Sequence, residues 1–467
     1  MKKSVLTYIK FITCSISILG ISSCSNTRFL KEGEMLYTGS KLTIEGDSLS
    51  KADKAELKDN LEKNIIPKPN SSFFGLRPRL YIYNITSEPK KQKGLKYWLK
   101  YKVGEKPVLL GDVDIEFNKK ILVNYSENKG FFNAKAQDDT ISKNKKAEVH
   151  YVLQPRKRYY INQVNFPKDT TLAVNKEIKK TQANTLLKDK QPFDLDVIKA
   201  ERERIDARLK ENGYYYFHPD NIIVQADSTV TNKQDVELFV KLKDKTPEQA
   251  KQQYSIDKVI VFPDYNIREA RKGIYKMPMN NDSLAKYEQN GFYMVDSKKY
   301  FKPKVFDRVL YFQTGDLYNR ADHNLTLNRL INLGVFKFVK NDFVISDSIN
   351  NKFDVYYTLT PREFQSLRLE VLGRTNSANY GGGELNLNWT HRNIFKGAEQ
   401  LKMALYGAFD MQLGGQKDAN NIFRAGFNTQ LSIPRIVAPF KFHSSSAFVP
   451  RTNIEIGYEY QNRSRLY

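Results

Sequence analysis

Cysteine is almost missing from this sequence. Among 467 residues there are two, Cys14 and Cys24, both inside the first 24 positions. Nothing downstream can form a disulfide or a thiolate metal site, so the fold there rests on buried area. Histidine is scarce as well. His150, His218, His323, His391 and His443 are scattered, and none belongs to an H-E-x-x-H array. No G-x-S-x-G elbow occurs, and no glycine-rich phosphate loop precedes a helix. Gly381-Gly382-Gly383 lies between β-type segments and reads as a strand kink. The chain therefore offers no catalytic residue, no metal ligands and no cofactor site. It reads as a non-enzyme.

Acidic residues are under-represented, 52 against 75 basic ones, for a formal net charge of +23. That balance suits an anionic neighbour such as nucleic acid, a phospholipid or lipopolysaccharide surface, or an acidic partner. It also suits a plain lysine-rich solvated surface, which the spread of lysines along the chain favours. No nucleic-acid module is recognisable.

Long apolar runs are absent except at the start. Lys2 and Lys3 precede a mostly apolar stretch from Val5 to Ile21, followed by Ser22, Ser23 and Cys24. Basic start, apolar run and small residues describe a secretory signal, which fits poorly with a nucleic-acid partner. Ile21-Ser22-Ser23-Cys24 resembles a bacterial lipobox. The resemblance implies a signal peptide over 1–23, cleavage between Ser23 and Cys24, acylation of Cys24, and a tether over 24–33. A signal with an incidental cysteine, and an uncleaved helical anchor, are the other readings.

What the sequence does have is a phrase used three times. Leu195, Ile198, Ile205 and Leu209 recur at helical spacing and lead to Glu211-Asn212-Gly213-Tyr214-Tyr215. Ile115, Leu122 and Tyr125 lead to Asn128-Lys129-Gly130-Phe131-Phe132, and Leu327, Leu330 and Ile331 lead to Asn332-Leu333-Gly334-Val335-Phe336. Each glycine reads as a helix stop, since a residue without Cβ enters positive φ at no steric cost. Two strands are expected after each, including an aromatic one over Tyr214–Gln225. The spacing predicts three α+β units of order β-α-α-β-β: 34–157 with an insertion, 158–248, and 252–362 with an insertion around 277–303. The first insertion interleaves Phe73, Phe74, Tyr81, Tyr83, Tyr97, Trp98 and Tyr101 with basic residues. This suits a membrane surface or a partner, but packing against its own domain is the expectation. Sheet edges of such units can accept a strand from a client by main-chain hydrogen bonds, unless neighbouring units cover them.

After residue 363 helix signals vanish and alternation takes over. Leu385, Leu387 and Trp389, then Leu401, Met403, Leu405, Gly407 and Phe409, alternate with polar or small residues, as do Phe423–Leu431 and Ile454–Tyr460. One apolar and one polar face suits the opening strands of an antiparallel transmembrane barrel, and a soluble β-sandwich is the rival. The sequence ends at Tyr467, about the fifth strand, whereas small barrels need about eight. The expectation is that 363–467 is an incomplete barrel and the sequence a piece of a longer protein.

These residues carry a family resemblance. The units with Gly130-Phe131, Gly213-Tyr214 and Gly334-Val335-Phe336 look like POTRA domains. Asn393-Ile394-Phe395-Lys396-Gly397-Ala398-Glu399 resembles the N-x-F-x-G-x-E turn of BamA/TamA-type outer-membrane assembly factors. Leu431-Ser432-Ile433-Pro434-Arg435 is similar to the TamA branch, and the lipobox with Arg28–Glu34 to its lipoprotein form, TamL, although Lys31 stands where proline is usual. The resemblance makes Asn393, Phe395, Gly397 and Glu399 family-motif positions. It implies an outer-membrane barrel with periplasmic POTRA domains that inserts or exports client outer-membrane or secreted proteins. A TamB-like inner-membrane-anchored partner and outer-membrane lipids come with it. Within this resemblance a BamA-like essential role and a two-partner secretion pore are rivals. Outside it, a surface adhesin or structural lipoprotein is another.

Overall fold

The computed structural model describes residues 26–46, 49, 51–229, 234–273, 284–375, 380–412, 420–439 and 446–465. The described chain divides into two compact units. One comprises Met1–Phe166, Asn184–Glu201 and Ile223–Lys241, the other Pro167–Ala183, Arg202–Ile222 and Leu242–Tyr467.

One strand grammar occurs three times. In the first sheet, β1 (Leu36–Ile44) lies parallel to β3 (Lys146–Gln154), which lies antiparallel to β2 (Lys135–Lys143). The second sheet has β4 (Tyr160–Asn165) parallel to β6 (Asp235–Leu242), with β5 (Ile222–Asp227) on β6's other side. In the third, β7 (Ser255–Phe262) lies parallel to β11 (Lys352–Pro361), which lies antiparallel to β10 (Phe336–Asp347). Two principal helices lie between the first strand and the second in the first two cases. These are α1 (Lys51–Asn64) and α4 (Ile115–Asn128), then α5 (Ala173–Lys180) and α6 (Leu195–Lys210). Between α1 and α4 lie α2 (Pro78–Ile85) and the short α3 (Leu95–Trp98). The third case has α7 (Ile267–Arg271) and α8 (Arg320–Asn332).

Burial follows the pleat. In β3, Ala147, Val149, Tyr151 and Leu153 alternate inward, and the last three meet Leu57, Leu61 and Leu122 from the helices. In β6, Val236, Leu238 and Val240 are the buried set. β11 differs, being buried along both faces from Phe353 to Thr358. One face holds Val355, Tyr357 and Leu359 against Leu330 of α8, and the other holds Tyr356 against Phe262 and Leu284. A central strand covered on both sides reads as a continuous apolar run.

Two expectations are corrected, and the insertion in the third unit acquires a structure. The aromatic run Tyr214–Phe217 is not strand; β5 begins at Ile222, and Tyr214 and Phe217 are buried in the turn that follows α6. Local bonds from Tyr214 N to Leu209 O and from Phe217 N to Tyr214 O occupy the backbone groups a ladder would need. The described part of 277–303 adds strands to the third sheet. β9 (Phe292–Met294) pairs with β7 and β8 (Glu288–Gln289) with β9, giving the order β10-β11-β7-β9-β8. Gly381–Gly383 lie within β13 (Tyr380–His391), paired on both sides.

The last sheet is antiparallel throughout: β12 (Gln365–Thr375), β13, β14 (Gln400–Gln412), β15 (Asn420–Ile433) and β16 (Thr452–Arg465). One row across all five strands reads Leu369, Leu387, Leu405, Phe427, Tyr458. The next reads Glu370, Asn386, Tyr406, Gly426, Glu459. Among the described residues the sheet is not closed: β12 and β16 are its two ends.

Candidate functional site

The repeated glycines mark joints. Each has positive φ, +90° at Gly130, +94° at Gly213 and +78° at Gly334, directly after its helix. Each also stands where the chain starts its next sheet. Gly130 O accepts from Tyr159 N at 2.9 Å, Gly213 O from Tyr254 N at 2.9 Å, and Val335 O from Arg362 N at 2.8 Å. A Cβ on Gly130 would come 2.9 Å from Phe193 O, and one on Gly213 would come 3.1 Å from Gln253 Cβ. The aromatics after each glycine fill the joint. Phe132 packs on Tyr159 and Phe193, both at 4.9 Å; Tyr215 packs on Tyr318 at 4.9 Å and Phe353 at 5.0 Å; Phe336 packs on Phe301 at 5.2 Å. The sequence showed the phrase but not its purpose.

Ion pairs brace the first two joints. Lys129 Nζ lies 2.9 Å from Asp194 and 3.0 Å from Asp196. Burial pulls the Lys129 ammonium down, but the two carboxylates outweigh it and its pKa stays raised. The buried Asp206 takes Lys210 at 3.1 Å from its own helix and Arg320 at 3.2 Å from the start of α8.

The motif turn between β13 and β14 is built into the third core. Asn393 is buried; its Nδ2 donates to Tyr300 O at 2.9 Å and its Oδ1 accepts from Ala398 N at 2.9 Å. Lys302 N donates to Lys396 O at 2.8 Å. Glu399 Oε2 accepts from Gly397 N at 2.8 Å, and a Cβ on Gly397 would collide with the Glu399 carboxylate. Ala398, at φ +62°, belongs to the same core as Val355 and Leu330. Asn393, Gly397 and Glu399 thus form one clasp, whereas Phe395 is exposed. A loop before β16 is pinned beside it: Arg329 donates to Ser446 O at 2.9 Å, and Arg451 to Asn332 O.

Sequence reading anticipated a polar face on the last sheet but not the ion pairs that cross it. Arg374 of β12 meets Glu384 of β13 and Asp410 of β14, each at 3.1 Å, and Arg424 of β15 reaches Asp410 at 3.1 Å. A Cβ on Gly382 would collide with the Asp410 carboxylate. The tyrosine ring of Tyr406 lies over Gly426, where a Cβ would come 2.7 Å from it, and its hydroxyl donates to Glu459 of β16. Small residues opposite long polar ones at matched register were the available signal.

The first strand of each unit has its outer edge covered. The outer edge of β1 meets the 108–110 segment, with Tyr37 N donating to Val108 O at 2.9 Å. That of β4 meets Gln191, and that of β7 meets Asp316 and β9. Among the described residues, β2, β5 and β10 end their sheets with no further strand, and the two-residue β8 ends the other side of the third sheet. β2 is largely charged or polar, whereas β10 exposes Phe338 and Val344.

Ser23, Cys24 and His443 lie outside the described residues. His323 bonds Tyr318 at 3.1 Å and Asn341 at 2.7 Å. Among the described residues no group of three or more His, Cys, Asp or Glu is placed to hold a metal ion. No described helix is long and apolar enough to cross a membrane.

No family model and no curated protein matches this chain. Solved structures to which it is similar include BamA from Haemophilus ducreyi lacking POTRA domains 1–3, at 13% identity over 66% of this chain and 52% of that one, TM-score 0.36. Haemophilus influenzae BamA POTRA3–5 is similar at 15% identity over 71% of this chain and 99% of that one, TM-score 0.31. CdiB from Acinetobacter baumannii is similar at 10% identity over 66% of this chain and 55% of that one, TM-score 0.28. This chain spans about half the length of that BamA and that CdiB.

Proposed function

We propose that this chain is part of an outer-membrane protein assembly or translocation factor of the TamA/TamL kind. Its POTRA domains, 34–157, 158–248 and 252–362, stand in the periplasm before the opening strands of a barrel at 363–467. Cys24 carries the lipid anchor behind a signal peptide over 1–23. The observation that carries the reading is the clasp. An antiparallel sheet with one apolar and one polar face hangs from the third βααββ core through Asn393, Ala398 and Lys396. Such a sheet suits lipid on one side and water on the other, and a membrane sheet must pair every edge.

Clients are outer-membrane or secreted proteins. They are held as added strands, β10 being the best-suited edge because it is long, open and partly apolar. A TamB-like inner-membrane-anchored protein is the expected partner. No catalytic residue takes part, since strand templating needs none. A BamA-like essential role and a secretion-pore role share the same architecture.

Depletion of the full gene product in its own host, followed by proteomics of the outer membrane, tests the role. Selective loss of barrel proteins or of an exported client is expected. An unchanged outer-membrane protein set, with the depleted protein gone, rejects it in favour of an adhesin or structural lipoprotein.

A further inference from the structure

The insertion between α1 and α4 keeps several of its apolar side chains in solvent, although Leu80 is buried. Phe73-Phe74-Gly75-Leu76 closes a two-residue turn, with Phe73 N donating to Leu76 O at 2.8 Å and Leu76 N to Phe73 O at 3.0 Å. Phe74 has φ +48°, a conformation that bulky residues rarely adopt. It is 91% exposed, and its ring touches that of Phe73. Farther along, Leu95 and Trp98 on α3 are 70% and 52% exposed. A solvated protein gains nothing from holding a phenyl ring out on a strained turn.

The same segment is the chain's basic concentrate. Residues 66–110 carry ten lysines and arginines against two glutamates, a net +8 out of the chain's +23. Both glutamates are occupied. Glu88 takes Lys100 at 2.8 Å and Tyr101, and Glu105 takes Ser71 at 2.6 Å. Exposed aromatics set among unneutralised lysines match the chemistry of an anionic bilayer interface.

The start of the described chain lies against this insertion. Asn26 Nδ2 donates to Arg77 O at 3.3 Å, Phe29 packs on Tyr81 at 6.4 Å, and Leu30, Leu36 and Leu80 share a small core. Cys24 is two residues before Asn26, a reach of at most ~7 Å. Arg77 in turn is three residues from Phe74, within ~10 Å of chain. An acyl group on Cys24 would therefore hold the Phe74 turn within roughly 20 Å of the lipid surface.

We propose that 66–110 is a membrane-docking surface for anionic phospholipid, in which Phe74 and Trp98 enter the interface beside the anchored N-terminus. The proposal rests on the lipoprotein reading for its placement, and on exposure and charge for its chemistry. An acidic protein partner is the competing occupant.

The test uses the full-length, natively lipidated protein in vesicles. Trp389→Phe leaves Trp98 as the single tryptophan of the region 1–467; any tryptophan beyond it is likewise replaced. Brominated phosphatidylglycerol in the vesicles should quench Trp98 emission at least twofold, and Lys90, Lys91 and Lys93 changed together to glutamine should reduce that quenching. A second variant, Phe74→Trp with Trp98→Phe on the same background, should be quenched likewise. Mass analysis of the N-terminal peptide reads acylation of Cys24 separately. An acylated protein in which neither variant's indole is quenched overturns the docking surface and leaves the anchor standing. Unmodified Cys24 with quenching retained removes the anchor and leaves the surface. Crosslinking of Phe74 to an acidic protein, without quenching, assigns the face to that partner and overturns the proposal.

Discussion

At the scale of single residues, three positions carry sharp consequences. Gly213 sits at φ +94° with Gln253 Cβ 3.1 Å from where its own Cβ would be. Gly213→Ala adds about 1–2 kcal/mol of backbone strain and crowds the second joint. Chemical denaturation of the full-length protein in detergent should show a lower midpoint, and an unchanged midpoint would deny the joint its tight geometry. Asn393 makes four hydrogen bonds from a buried site, two through its side chain and two through its backbone, where N donates to His391 Nδ1 and O accepts from Lys396 N. Asn393→Ala leaves Tyr300 O and Ala398 N without that partner, a loss of about 1–3 kcal/mol. His323 supplies a pH dependence. Burial lowers its pKa, more than the Asn341 hydrogen bond raises it. The unfolded chain then binds a proton first as pH falls below about 6.5, the ordinary histidine value, while the folded imidazole stays neutral. Stability from this group is intact above that pH and is lost as pH falls toward the folded pKa. His323→Gln should flatten the slope of unfolding free energy between pH 7 and 5; an unaltered slope would mean the ring titrates freely.

At the scale of elements, the polar face of the last sheet holds its strands by reaching over glycines. A side chain at Gly426 would lie 2.6 Å from Tyr458 O and 2.7 Å from the Tyr406 ring, so Gly426→Val must expel that ring. The Tyr406 link to Glu459 joins β14 to β16 across β15, and Gly426→Val should loosen all three strands. The temperature at which SDS unfolds the protein is expected to drop by several degrees, and Tyr406→Phe, which keeps the ring, to cost less. Equal tolerance of both changes would show the ring to be an ornament. Helix α6 was legible residue by residue because its apolar stripe and its glycine stop agree, β3 and β6 because period-2 alternation marks a strand covered on one face, and β13–β16 because they alternate although their apolar residues are largely exposed. The clasp residues were visible only through a resemblance, since nothing in a local pattern says that Asn393 bonds Tyr300, 93 residues earlier. Tyr214–Phe217 misled for a related reason. Aromatics have high strand propensity, and here joint packing overrides it. β9 pairs through Tyr293 and Met294 alone, too short a run to show a period.

At the scale of the whole molecule, the question is which solvent each face of the last sheet meets. Its strands are 11 to 14 residues long. At ~3.3 Å per residue and a ~45° tilt these span roughly 25–33 Å, the thickness of a hydrocarbon core. Leu405 sits mid-strand in the apolar row and Asn386 mid-strand in the polar one, on neighbouring strands. A membrane barrel treats them oppositely. Arginine at the lipid-facing midplane costs about 2–4 kcal/mol, whereas a lumen-facing cation meets water and the acidic neighbours Glu370 and Glu384. The full-length protein should therefore migrate faster unboiled than boiled in SDS. Leu405→Arg should deplete the fast-migrating form from membranes, and Asn386→Lys should leave it at wild-type yield. A sandwich in water also buries Leu405 but needs no lipid, so it would extract without detergent and run at one position whether boiled or not. That outcome would remove the barrel, and with it the reason for hanging a sheet from the third core by a clasp at Asn393.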